Sequence, residues 1–599
     1  MNTEIKEKTT LKGGEWLIRG SLPQDVFIPE EFDEEQLLIS RTCEDFIRNE
    51  VWPMLDRLDS MQEPDLMPAL LRKAGELGLL GLSVPEEYGG FGKHFLTDML
   101  FTEKIGPSHS FAVGISAHVG IGTLPIILYG NDSQKSQYLP KLATGEWLAC
   151  YCLTEPTAGS DANSGKARAT LTPDGKHYIL NGQKIWITNS GFAEIFIVFA
   201  KIDDDENHSA FIVEKSFGGI RLGAEEKKMG IKGSSTRQVF FEDCPVPVEN
   251  LLSERGNGFK IAVNILNIGR IKLAGAAMGG SKEAIHNAVR YANERQQFGR
   301  PISKYGAIKQ KISEMCIRTF ASESATYRAT QNIEAKIAEL IEQGVDPATA
   351  KLKGVEEYAI ECAILKVYGS ESLGYVVDEG VQIYGGMGYS AEMPMDRAYR
   401  DARINRIFEG TNEINRMLTV DMILRRAMKG TLDLMGPAMA IPNELMEIPE
   451  PLESDGSVFF FEKEYLKKFK KAILLVAGSA VQKLMQSLAK EQEILLDVAD
   501  MLIDTYVAES TLLRVEKMLG KGLISTDDAR VDVVRVLFND IADRIWQKGK
   551  NAIYSFAEGD ELRLLLMGLK RFTKTEGLNV KEARRRIATR AIEANAYPF

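Results

Sequence analysis

The sequence predicts an α+β protein that is mainly helical, with a helical N-terminal domain, a β-rich centre and a long helical C-terminal half. Apolar residues recur at three- and four-residue spacing between residues 34 and 150, as in DEEQLLISRTCEDFIRNEVWPML and PALLRKAGELGLLGL. From Cys150 to about residue 250, short β-rich runs alternate with turn residues, and long helical patterns return from Gly256. A helix, sheet, helix order indicates α+β layers rather than alternating βαβ units.

The length of 599 residues allows several cores, and changes in pattern predict six parts. The segment from 431 to 463 has the prolines and glycine of a linker, at Pro437, Pro442, Pro449, Pro451 and Gly456. The six predicted parts are an N-terminal segment (1–33), an N-terminal helical domain (34–150), a central β domain (151–255), a helical bundle (256–430), the linker (431–463) and a helical extension (464–599).

Composition narrows the class of protein. A net charge of −11 argues against a nucleic-acid partner. Six cysteines without C-x-x-C pairs and six histidines without ligand spacing predict neither a metal site nor a disulfide framework, which suits a reducing compartment. The N-terminus has no apolar signal segment, and we find no 18-residue apolar run, so we expect a cytoplasmic protein without a membrane span.

Within the first helical domain, the run Phe111 to Gly122 (FAVGISAHVGIG) is rich in small residues, which lower helix stability unless something else fills the space beside them. A single histidine among apolar residues is more often a packed core residue than a ligand or base. We therefore interpret His118 as structural.

The central domain begins with YCLTEPTAGSD, Tyr151 to Asp161. Thr154, Gly159 and Ser160 offer hydroxyl and backbone N–H groups to an anionic or polar heterocyclic ligand, although Ser160 and Asp161 could equally form a turn. Further on, Asn181-Gly182 lies between two β-rich runs and predicts a hairpin. Trp186, in the second run, would by itself be interpreted as a core residue.

In the helical bundle, the segment RQQFG places Arg295 and Phe298 three residues apart at a predicted helix end. The pair could fill a helix surface, or Arg295 could bind a phosphate while Phe298 covers an adenine. Spacing alone favours the first interpretation.

The chain is organised around Gln382 to Ile414, QIYGGMGYSAEMPMDRAYRDARINRIFEGTNEI. Gly385, Gly386 and Gly388 allow a ligand to approach the backbone closely. Glu409 stands between an aromatic ring and a glycine, where burial would raise the pKa of its carboxylate towards neutrality, the range of a general base.

Two other interpretations of this stretch exist. Gly386 to Ala391 formally matches the dinucleotide pattern G-x-G-x-x-A, but VVDEGVQI before it is too charged for a buried strand and Pro394 interrupts the following helix. Alternatively, Glu409 could pair on a solvated face with the four arginines that precede it, Arg397, Arg400, Arg403 and Arg406.

Five motifs resemble those of one family, the acyl-CoA dehydrogenases, and they occur along the chain in the order typical of that family. CLTEPTAGSD at 152–161 and Q-x-x-G-G-x-G-Y-x-x-E-x-x-x-x-R-x-x-x-D at 382–401 resemble its two signature segments, and WITN, RxxFG and RIFEGT complete the set. The resemblance covers residues 34–430, and the whole length is similar to the very-long-chain subgroup, which has a C-terminal helical extension. It implies an N-terminal helical bundle, a β-barrel-like central domain, a C-terminal four-helix bundle and the additional helical domain.

The resemblance also implies residue roles around FAD. Arg295 and Phe298 would reach the FAD of a neighbouring subunit, so at least a homodimer, or a dimer of dimers, is expected. The expected contacts are Tyr151, Leu153, Thr154, Trp186 and Thr188 at the isoalloxazine ring, Gln382, Gly385 and Gly386 at the other end, Gly159, Ser160, Thr411 and Glu413 elsewhere on the cofactor, and Ser160, Asn267, Arg270 and Gly410 on the substrate. Asn267 replaces the acid of medium-chain relatives, which leaves its contact less defined.

In the family pattern Glu409 is the base that removes the α-proton of an acyl-CoA thioester while hydride passes from Cβ to flavin N5, giving trans-2-enoyl-CoA in fatty acid β-oxidation. The thioester oxygen would be polarised by the N–H of the base and by a ribityl hydroxyl. Some subgroups carry the base just before Arg270; this chain has Gly269 there. Electron-transfer flavoprotein is the acceptor that the resemblance implies. An acyl-CoA oxidase, or a non-enzymatic assembly or scaffold protein on the same fold, is the alternative.

Two further expectations concern substrate and surface. If Phe111 to Gly122 lines the acyl pocket, then Gly114, Ala117 and Gly120 leave depth for a long chain. In the extension, the sequence around residues 465–476 places four lysines, 467, 468, 470 and 471, beside an apolar face. This helix could lie peripherally on the inner face of a membrane, or dock on its own dimer.

Overall fold

The computed structural model describes residues 10–447 and 453–599. Residues 1–9 of the predicted N-terminal segment, and residues 448–452 of the predicted linker with Pro449 and Pro451, lie outside the described residues.

The N-terminal domain consists of seven short helices. Asp33 and Asn131 begin the first and the last of them by accepting the N–H of Gln36 and Gln134, each in a capping box. The small-residue run forms one α-helical stretch that continues as a π-helix over Ala117–Gly122. The helices are α1 Glu34–Phe46, α2 Leu55–Ser60, α3 Leu66–Glu76, α4 Phe95–Ile105, α5 Ser110–Ser116, α6 Leu124–Tyr129 and α7 Asp132–Thr144.

His118 is a structural residue, as predicted. Its Nε2 donates to the carbonyl of Leu142 at 2.9 Å, and its Nδ1 accepts the N–H of Ala149 at 3.1 Å. Full burial lowers the pKa of the imidazole to about 4, which keeps it neutral. His118 thus joins the π-helix to the central sheet.

The central domain is one eight-stranded sheet with β1 and β2 parallel to β4 and the other pairs antiparallel. The pairing order β6-β7-β3-β2-β4-β5-β8 is open at its ends, and one hydrophobic core of this domain is made only of residues from the sheet domain. The strands are β1 Ala149–Cys152, β2 Arg168–Leu171, β3 His177–Thr188, β4 Ile195–Ile202, β5 His208–Glu214, β6 Ile220–Glu225, β7 Thr236–Pro247 and β8 Leu251–Leu252.

The hairpin predicted at Asn181-Gly182 is wrong. Strand β3 runs through both residues, and its pairing with β7 shifts register between Leu180 and Gly182. Gly182 is required by close packing, because a Cβ there would lie 2.7 Å from the Cβ of Ala167. The chain reverses instead between Leu171 and His177, at the sequence Pro-Asp-Gly.

The C-terminal half is helical: α8, α9 and α11 pack on one another, and α13 packs on α11 and on α16 of the extension. The predicted linker contains a helix, α14, which buries Ile441 and Leu445. The elements are α8 Gly258–Glu294, β9 Gln296–Gln297, β10 Arg300–Pro301, α9 Gly306–Glu342, α10 Pro347–Glu357, α11 Ala359–Tyr384, α12 Pro394–Ala402, α13 Asn412–Met428, α14 Met435–Met446, α15 Phe460–Leu484, α16 Gln492–Gly520, α17 Ala529–Tyr554, α18 Gly559–Thr573 and α19 Val580–Ala594. The α+β fold class, with an additional helical domain, is confirmed.

Helix α15 packs most of its predicted apolar face inside the protein. Phe469, Ile473 and Val476 are buried against the chain's own α16, α17 and α18, and the ring of Phe469 stacks on Phe538. Of its lysines, Lys470 and Lys471 pair with Glu509 and Glu444 at 2.7 and 2.6 Å. This face therefore docks on its own chain, and peripheral contact of the helix with a membrane stays a prediction.

Within residues 10–447 and 453–599, three helical stretches contain an 18-residue window apolar enough to cross a membrane by length and composition alone, which corrects the prediction that no such run exists. They are Ser110–Tyr129, Gly258–Glu294 and Phe460–Lys490, whose windows are 83%, 72% and 39% buried inside the protein. Packing of apolar helices in the core explains the first two.

Candidate active site

The loop between Arg406 and Asn412 carries Glu409. Glu409 has φ +58°, a left-handed conformation that is uncommon outside glycine and indicates a backbone held by its surroundings. The hydroxyl of Thr411 accepts the N–H of Ile414 at 3.3 Å and so begins α13. The Glu409 carboxylate points at α8, where its Oε2 lies 2.6 Å from the position that a Cβ on Gly269 would take.

The Glu409 carboxylate has the properties of a general base. Its Oε2 is buried and has no hydrogen-bond partner among the described residues. Burial raises the pKa of Glu409 to about 7, against the opposing charges of Arg270 and Lys366. A base with a pKa near the working pH accepts a proton and releases it again with little loss of driving force.

The alternative, in which Glu409 pairs with the arginines before it, is wrong. Arg397 pairs with Asp56 and Asp59, and Arg400 pairs with Asp396. The guanidinium of Arg406 packs on the backbone of Gly374 in α11. These arginines fix the approach to the loop and leave its carboxylate free.

Two side chains that the sequence did not single out, Lys366 and Asn415, hold the carbonyl groups of this loop. Lys366 Nζ, from α11, donates to the carbonyl of Gly410 at 2.6 Å and to Asn412 Oδ1 at 2.8 Å. Asn415 Nδ2 donates to the carbonyls of Gly410 and Thr411 at 2.9 and 3.0 Å. A lysine inside the apolar run AILKVY was the one signal in the sequence, because a buried cation needs partners.

Arg270 and Asn267, both predicted to contact substrate, lie on α8 beside the loop. Arg270 Nη1 donates to Asn267 Oδ1 at 2.6 Å, and Arg270 Nε donates to the carbonyl of Glu409 at 3.3 Å. Both side chains are buried, and burial lowers the pKa of Arg270 while Glu409 opposes this shift. A cation, a polar amide and a base therefore meet at one point.

A cavity of about 230 Å³ opens beside Glu409 and is lined mainly by apolar residues. Helix α8 and the π-helix form two of its walls, and a Cβ on Gly120 would meet nothing within 4 Å. Gly114 is an exception to the prediction, because it packs on Met67 outside the cavity. The lining includes Ala112, Ser116, Ala117, Gly120, Ile121, Leu124, Ile265, Ile268, Ala276, Leu373, Phe408 and Glu409.

One group of predicted cofactor residues gathers at the sheet edge near this cavity. Tyr151 and Leu153 are buried at the end of β1, while Thr188, at the end of β3, lines the cavity. Trp186 has φ +60° and is 57% exposed, so it is not the core residue that spacing alone suggested. Gly159 leaves open space and Ser160 is exposed, which gives a flat polar ligand access to the backbone here.

A buried ion pair holds the loop that follows β1. Lys184 Nζ donates to Glu155 Oε1 at 2.7 Å and to the carbonyl of Leu153 at 3.1 Å. Glu155 also accepts the N–H groups of Lys166 and Ala167. Burial tends to raise the pKa of Glu155, but these partners outweigh it and lower the pKa.

A second group of predicted cofactor residues lies at the opposite end of the bundle. Gly385 has φ +61° and ends α11, and a Cβ on Gly385 or Gly386 would meet nothing within 4 Å. Gly388, in contrast, packs on Val381 and is structural. We term the open backbone at Gly385 and Gly386 the glycine cradle. It is close to the end of α8, because Tyr384 stacks on Tyr291 of that helix.

Arg295 and Phe298 lie at that same end. Phe298 is 94% exposed on the β9–β10 ribbon, with φ +51°. At about 1.5 Å per helical residue, Arg295 is roughly 37 Å from Arg270 along α8. The structure thus brings Gln382, Gly385, Gly386, Arg295 and Phe298 to one end, separate from Glu409, with Glu413 exposed at the start of α13.

Four sequence models of acyl-CoA dehydrogenase domains match the chain: the N-terminal domain over residues 33–146, the middle domain over 150–244, and C-terminal domains over 256–424 and 468–571. A probable acyl-CoA dehydrogenase of Bacillus subtilis (strain 168) is 44% identical over 586 residues, which cover 98% of each protein. The rat mitochondrial very long-chain specific acyl-CoA dehydrogenase is 41% identical over 417 residues, 67% of this chain and 60% of that one.

Among solved structures, an acyl-CoA dehydrogenase from Bacillus anthracis complexed with FAD has a TM-score of 0.95 and 46% identity, covering 98% of this chain and 100% of that one. The match extends over the helical extension as well as the domains that carry Glu409. The chain therefore belongs to the acyl-CoA dehydrogenase family, and the predicted enzyme class and FAD cofactor are confirmed.

Proposed function

We propose that this enzyme dehydrogenates long-chain acyl-CoA to trans-2-enoyl-CoA in fatty acid β-oxidation, with Glu409 as the base. The observation that carries the proposal is the Glu409 carboxylate itself, buried beside an apolar cavity, with an unpartnered Oε2 and a pKa raised to about 7. A thioester α-proton is weakly acidic, so the base must be poised to accept it in a site from which water is largely excluded.

The chain supplies the groups for proton removal. Glu409 Oε2 takes the α-proton, while the backbone N–H of Glu409, which donates to no described residue, is free to polarise the thioester oxygen. Gly410, at φ +81°, keeps bulk away from that oxygen. Arg270 and Lys366 set how far the pKa of the base rises, and Asn267 and Ser160 are proposed substrate contacts.

The residues at the sheet edge fit FAD. Trp186, Thr188, Thr154, Tyr151 and Leu153 present an aromatic face, hydroxyl groups and a buried wall to a flat ring, beside open backbone at Gly159. When bound, FAD supplies the acceptor for the hydrogen that leaves Cβ with its electron pair. The protein's part is to orient the acyl chain between that ring and Glu409.

We propose a homodimer, or a dimer of dimers, on the distance between the two cofactor groups. Gln382 is 16 residues from Lys366 on α11, which is roughly 24 Å along the helix and away from Glu409. The open glycine cradle and the exposed Phe298 therefore serve the cofactor of a second copy of the chain.

The cavity supports a long acyl chain as substrate. Ala117 and Gly120 leave its π-helical wall without bulk. We expect activity over C4 to C20 thioesters to be highest well above C8, and Gly120→Leu to move the optimum to shorter chains because its side chain fills the cavity. Highest activity of the parent at C4 to C8 would contradict a long-chain substrate.

Electron-transfer flavoprotein is the proposed electron acceptor, and an oxidase passing electrons to oxygen is the second candidate. Peroxide yield, measured against reduction of a flavoprotein or dye acceptor, separates the two. A cytoplasmic location is part of the same proposal. A scaffold role without catalysis is disfavoured by the buried, unpartnered carboxylate, because such a group lowers stability unless it has a use.

The deciding experiment is the anaerobic absorption change of the flavin-loaded protein on mixing with palmitoyl-CoA. Glu409→Gln keeps the shape of the side chain and removes the base, so we expect bleaching to slow by at least about 1000-fold. A variant that holds its flavin and bleaches at the parental rate would exclude Glu409 as the base.

A further inference from the structure

A continuous network of polar contacts joins the loop between Arg406 and Asn412, here termed the catalytic loop, to the helical extension. It begins at Lys366, which binds the carbonyl of Gly410 and Asn412 Oδ1. Asn412 Nδ2 donates to Glu371 Oε1 at 3.0 Å. Each step leads from the loop to the side of α11 that faces the extension.

The network of contacts continues through the guanidinium of Arg416. Arg416 of α13 donates Nη1 and Nη2 to the two carboxylate oxygens of Glu371, at 2.8 and 2.9 Å. Its remaining Nε donates to Asp500 Oδ1 of α16 at 2.7 Å. Asp500 Oδ2 is in turn paired with Lys548 of α17 at 2.7 Å.

We propose that Asp500 positions the base: the extension orients Arg416, Arg416 fixes Glu371 and Asn412, and these hold the Gly410 carbonyl and Lys366 beside Glu409. Asp500 is thus a positioning residue of the active site, although it lies in the appended domain. The proposal rests on the proposed role of Glu409.

The geometry of Arg416 explains why the remote carboxylate matters. A guanidinium is planar, so a partner on Nε sets the plane in which the other two nitrogens meet Glu371. Glu371 is 39% exposed and would otherwise change rotamer freely. Asn412 is the first residue of α13, and its side chain therefore places the end of the catalytic loop.

Through Lys366, this network of contacts also affects the pKa of Glu409. Lys366 faces Glu409, Arg270, Glu413 and Glu371, and Tyr151 also faces Glu409 from the sheet. The charge of Lys366 lowers the pKa of Glu409, in opposition to burial. If the loop relaxes and Lys366 moves away, the pKa of the base rises.

The test compares two isosteric substitutions on α16. Asp500→Asn weakens the contact with Arg416. Asp504→Asn, one turn later, weakens an equivalent forked pair with Arg544 of α17, at 2.8 and 2.9 Å, which does not lead to the loop. We expect Asp500→Asn to lower the rate of flavin reduction at saturating palmitoyl-CoA by about fivefold or more, with little change in half-saturation.

The pH profile provides a readout that general destabilisation does not move. In Asp500→Asn the apparent pKa of the acid limb of kcat/KM should rise, whereas Asp504→Asn should keep the parental profile and rate while losing stability. Asp500→Glu, which keeps the negative charge, should retain most of the parental rate. Arg416→Lys should not retain it, because an ammonium group cannot form two parallel hydrogen bonds to the Glu371 carboxylate. Equal rates and profiles in Asp500→Asn and Asp504→Asn would overturn the proposal.

Glu409→Gln separates the two levels of the argument. If it still bleaches at the parental rate, the proposed function fails whatever Asp500→Asn does. If Glu409→Gln is inactive and Asp500→Asn behaves as the parent, only the positioning role fails. Hydrogen exchange of residues 409–415, measured on the flavin-loaded proteins, should be faster in Asp500→Asn than in Asp504→Asn.

Discussion

At the scale of single residues, Gly269 determines where the base can stand. A Cβ at this position would lie 2.6 Å from Glu409 Oε2, 2.8 Å from its Cδ and 3.1 Å from its Oε1. The carboxylate thus occupies the space that any other residue on this turn of α8 would fill. The base on the loop and the glycine on the helix are two halves of one arrangement.

Gly269→Ala should therefore displace the carboxylate and lower kcat by about 10- to 100-fold, since small misplacements of a catalytic group have effects of this size. The fold should persist, because alanine is the better helix former by about 0.5–1 kcal/mol. Gly478→Ala in α15, where the new Cβ finds only ordinary contact, is the matched control and should keep the parental kcat. Parental kcat in Gly269→Ala would show that the carboxylate does not need this space.

The raised pKa of Glu409 also predicts a pH-dependent penalty on folding. The carboxyl is neutral in the folded protein below about pH 7 but ionises near its ordinary value when unfolded. Its contribution to stability is therefore fully present at low pH and is lost as pH rises through about 7. For a shift of this size the loss is about 3 kcal/mol.

Glu409→Gln removes that penalty. In urea unfolding of the flavin-loaded proteins, its advantage in free energy over the parent should grow by about 2–3 kcal/mol between pH 5 and pH 8.5. The parental kcat/KM should rise over the same range, as the base loses its proton. An advantage that stays constant with pH would show that Glu409 titrates near its ordinary pKa.

At the scale of elements, pattern predicted helices and strands well but not their partners. Asn181-Gly182 has the local chemistry of a turn, yet β3 continues because β2 and β7 pair with it on both sides. Gly114 was misplaced because α5 passes into a π-helix, whose wider turn breaks the three-residue repeat shared with Ala117 and Gly120.

The site shows the same limit. Glu409, Arg270 and the glycine cradle carried a signal in their neighbours along the chain. Asn415 lies only four or five residues from the carbonyls that it binds, but an asparagine within a helical pattern gives no sign of that role. Lys366 carried only a weak signal, because its function depends on α11 lying beside a loop 44 residues away. Contacts of that kind exist only after packing, so a single sequence indicates at most that the buried lysine needs a partner.

The pair of Lys184 and Glu155 permits a test at the level of one loop. Both side chains are almost fully buried, at 0% and 4% exposed, so Lys184→Met leaves a carboxylate without its charge partner. We expect a loss of about 3–5 kcal/mol in urea unfolding, together with a lower flavin content. The added change Glu155→Gln should restore much of the stability.

The matched control is the exposed pair of Arg221 and Glu242 on β6 and β7, each 57% exposed. Arg221→Met should change the free energy of unfolding by less than about 1 kcal/mol. If Lys184→Met were no more harmful than Arg221→Met, the pair would not be what holds the loop after β1.

At the scale of the whole molecule, residues 10–33, here termed the N-terminal strap, tie the extension to the catalytic domains. Gly14 donates its N–H to Glu361 of α11 at 2.8 Å, and Lys517 of α16 donates to the carbonyl of Val26 at 2.6 Å. Trp16 of the strap packs its ring on Tyr506 of α16. One apolar core also runs without interruption from α4 to α19. The extension therefore belongs to the same cooperative body as the active site.

Buried charges reinforce this union. Arg328 of α9 binds Glu509 of α16 at 3.1 Å and Ser21 of the strap at 2.7 Å. Glu509 also accepts from Lys470 of α15 at 2.7 Å, so one carboxylate balances two buried cations. The opposing cations outweigh burial and lower the pKa of Glu509, which keeps it charged. The carboxylate of Glu509 thus neutralises buried cations from α9 and α15 and holds these two helices against α16.

Glu509→Gln should consequently weaken the contact between the extension and the core more than it destabilises α16 itself. Two buried cations would face a neutral amide, and we expect a loss of about 3–5 kcal/mol. Calorimetry should show the extension melting below the core, with earlier proteolytic cleavage near α14. Glu516→Gln, two turns further along α16, breaks the more exposed pair with Lys463 and should change the free energy of unfolding by less than about 1 kcal/mol. A single transition at the parental midpoint in Glu509→Gln would mean that apolar packing alone joins the two parts.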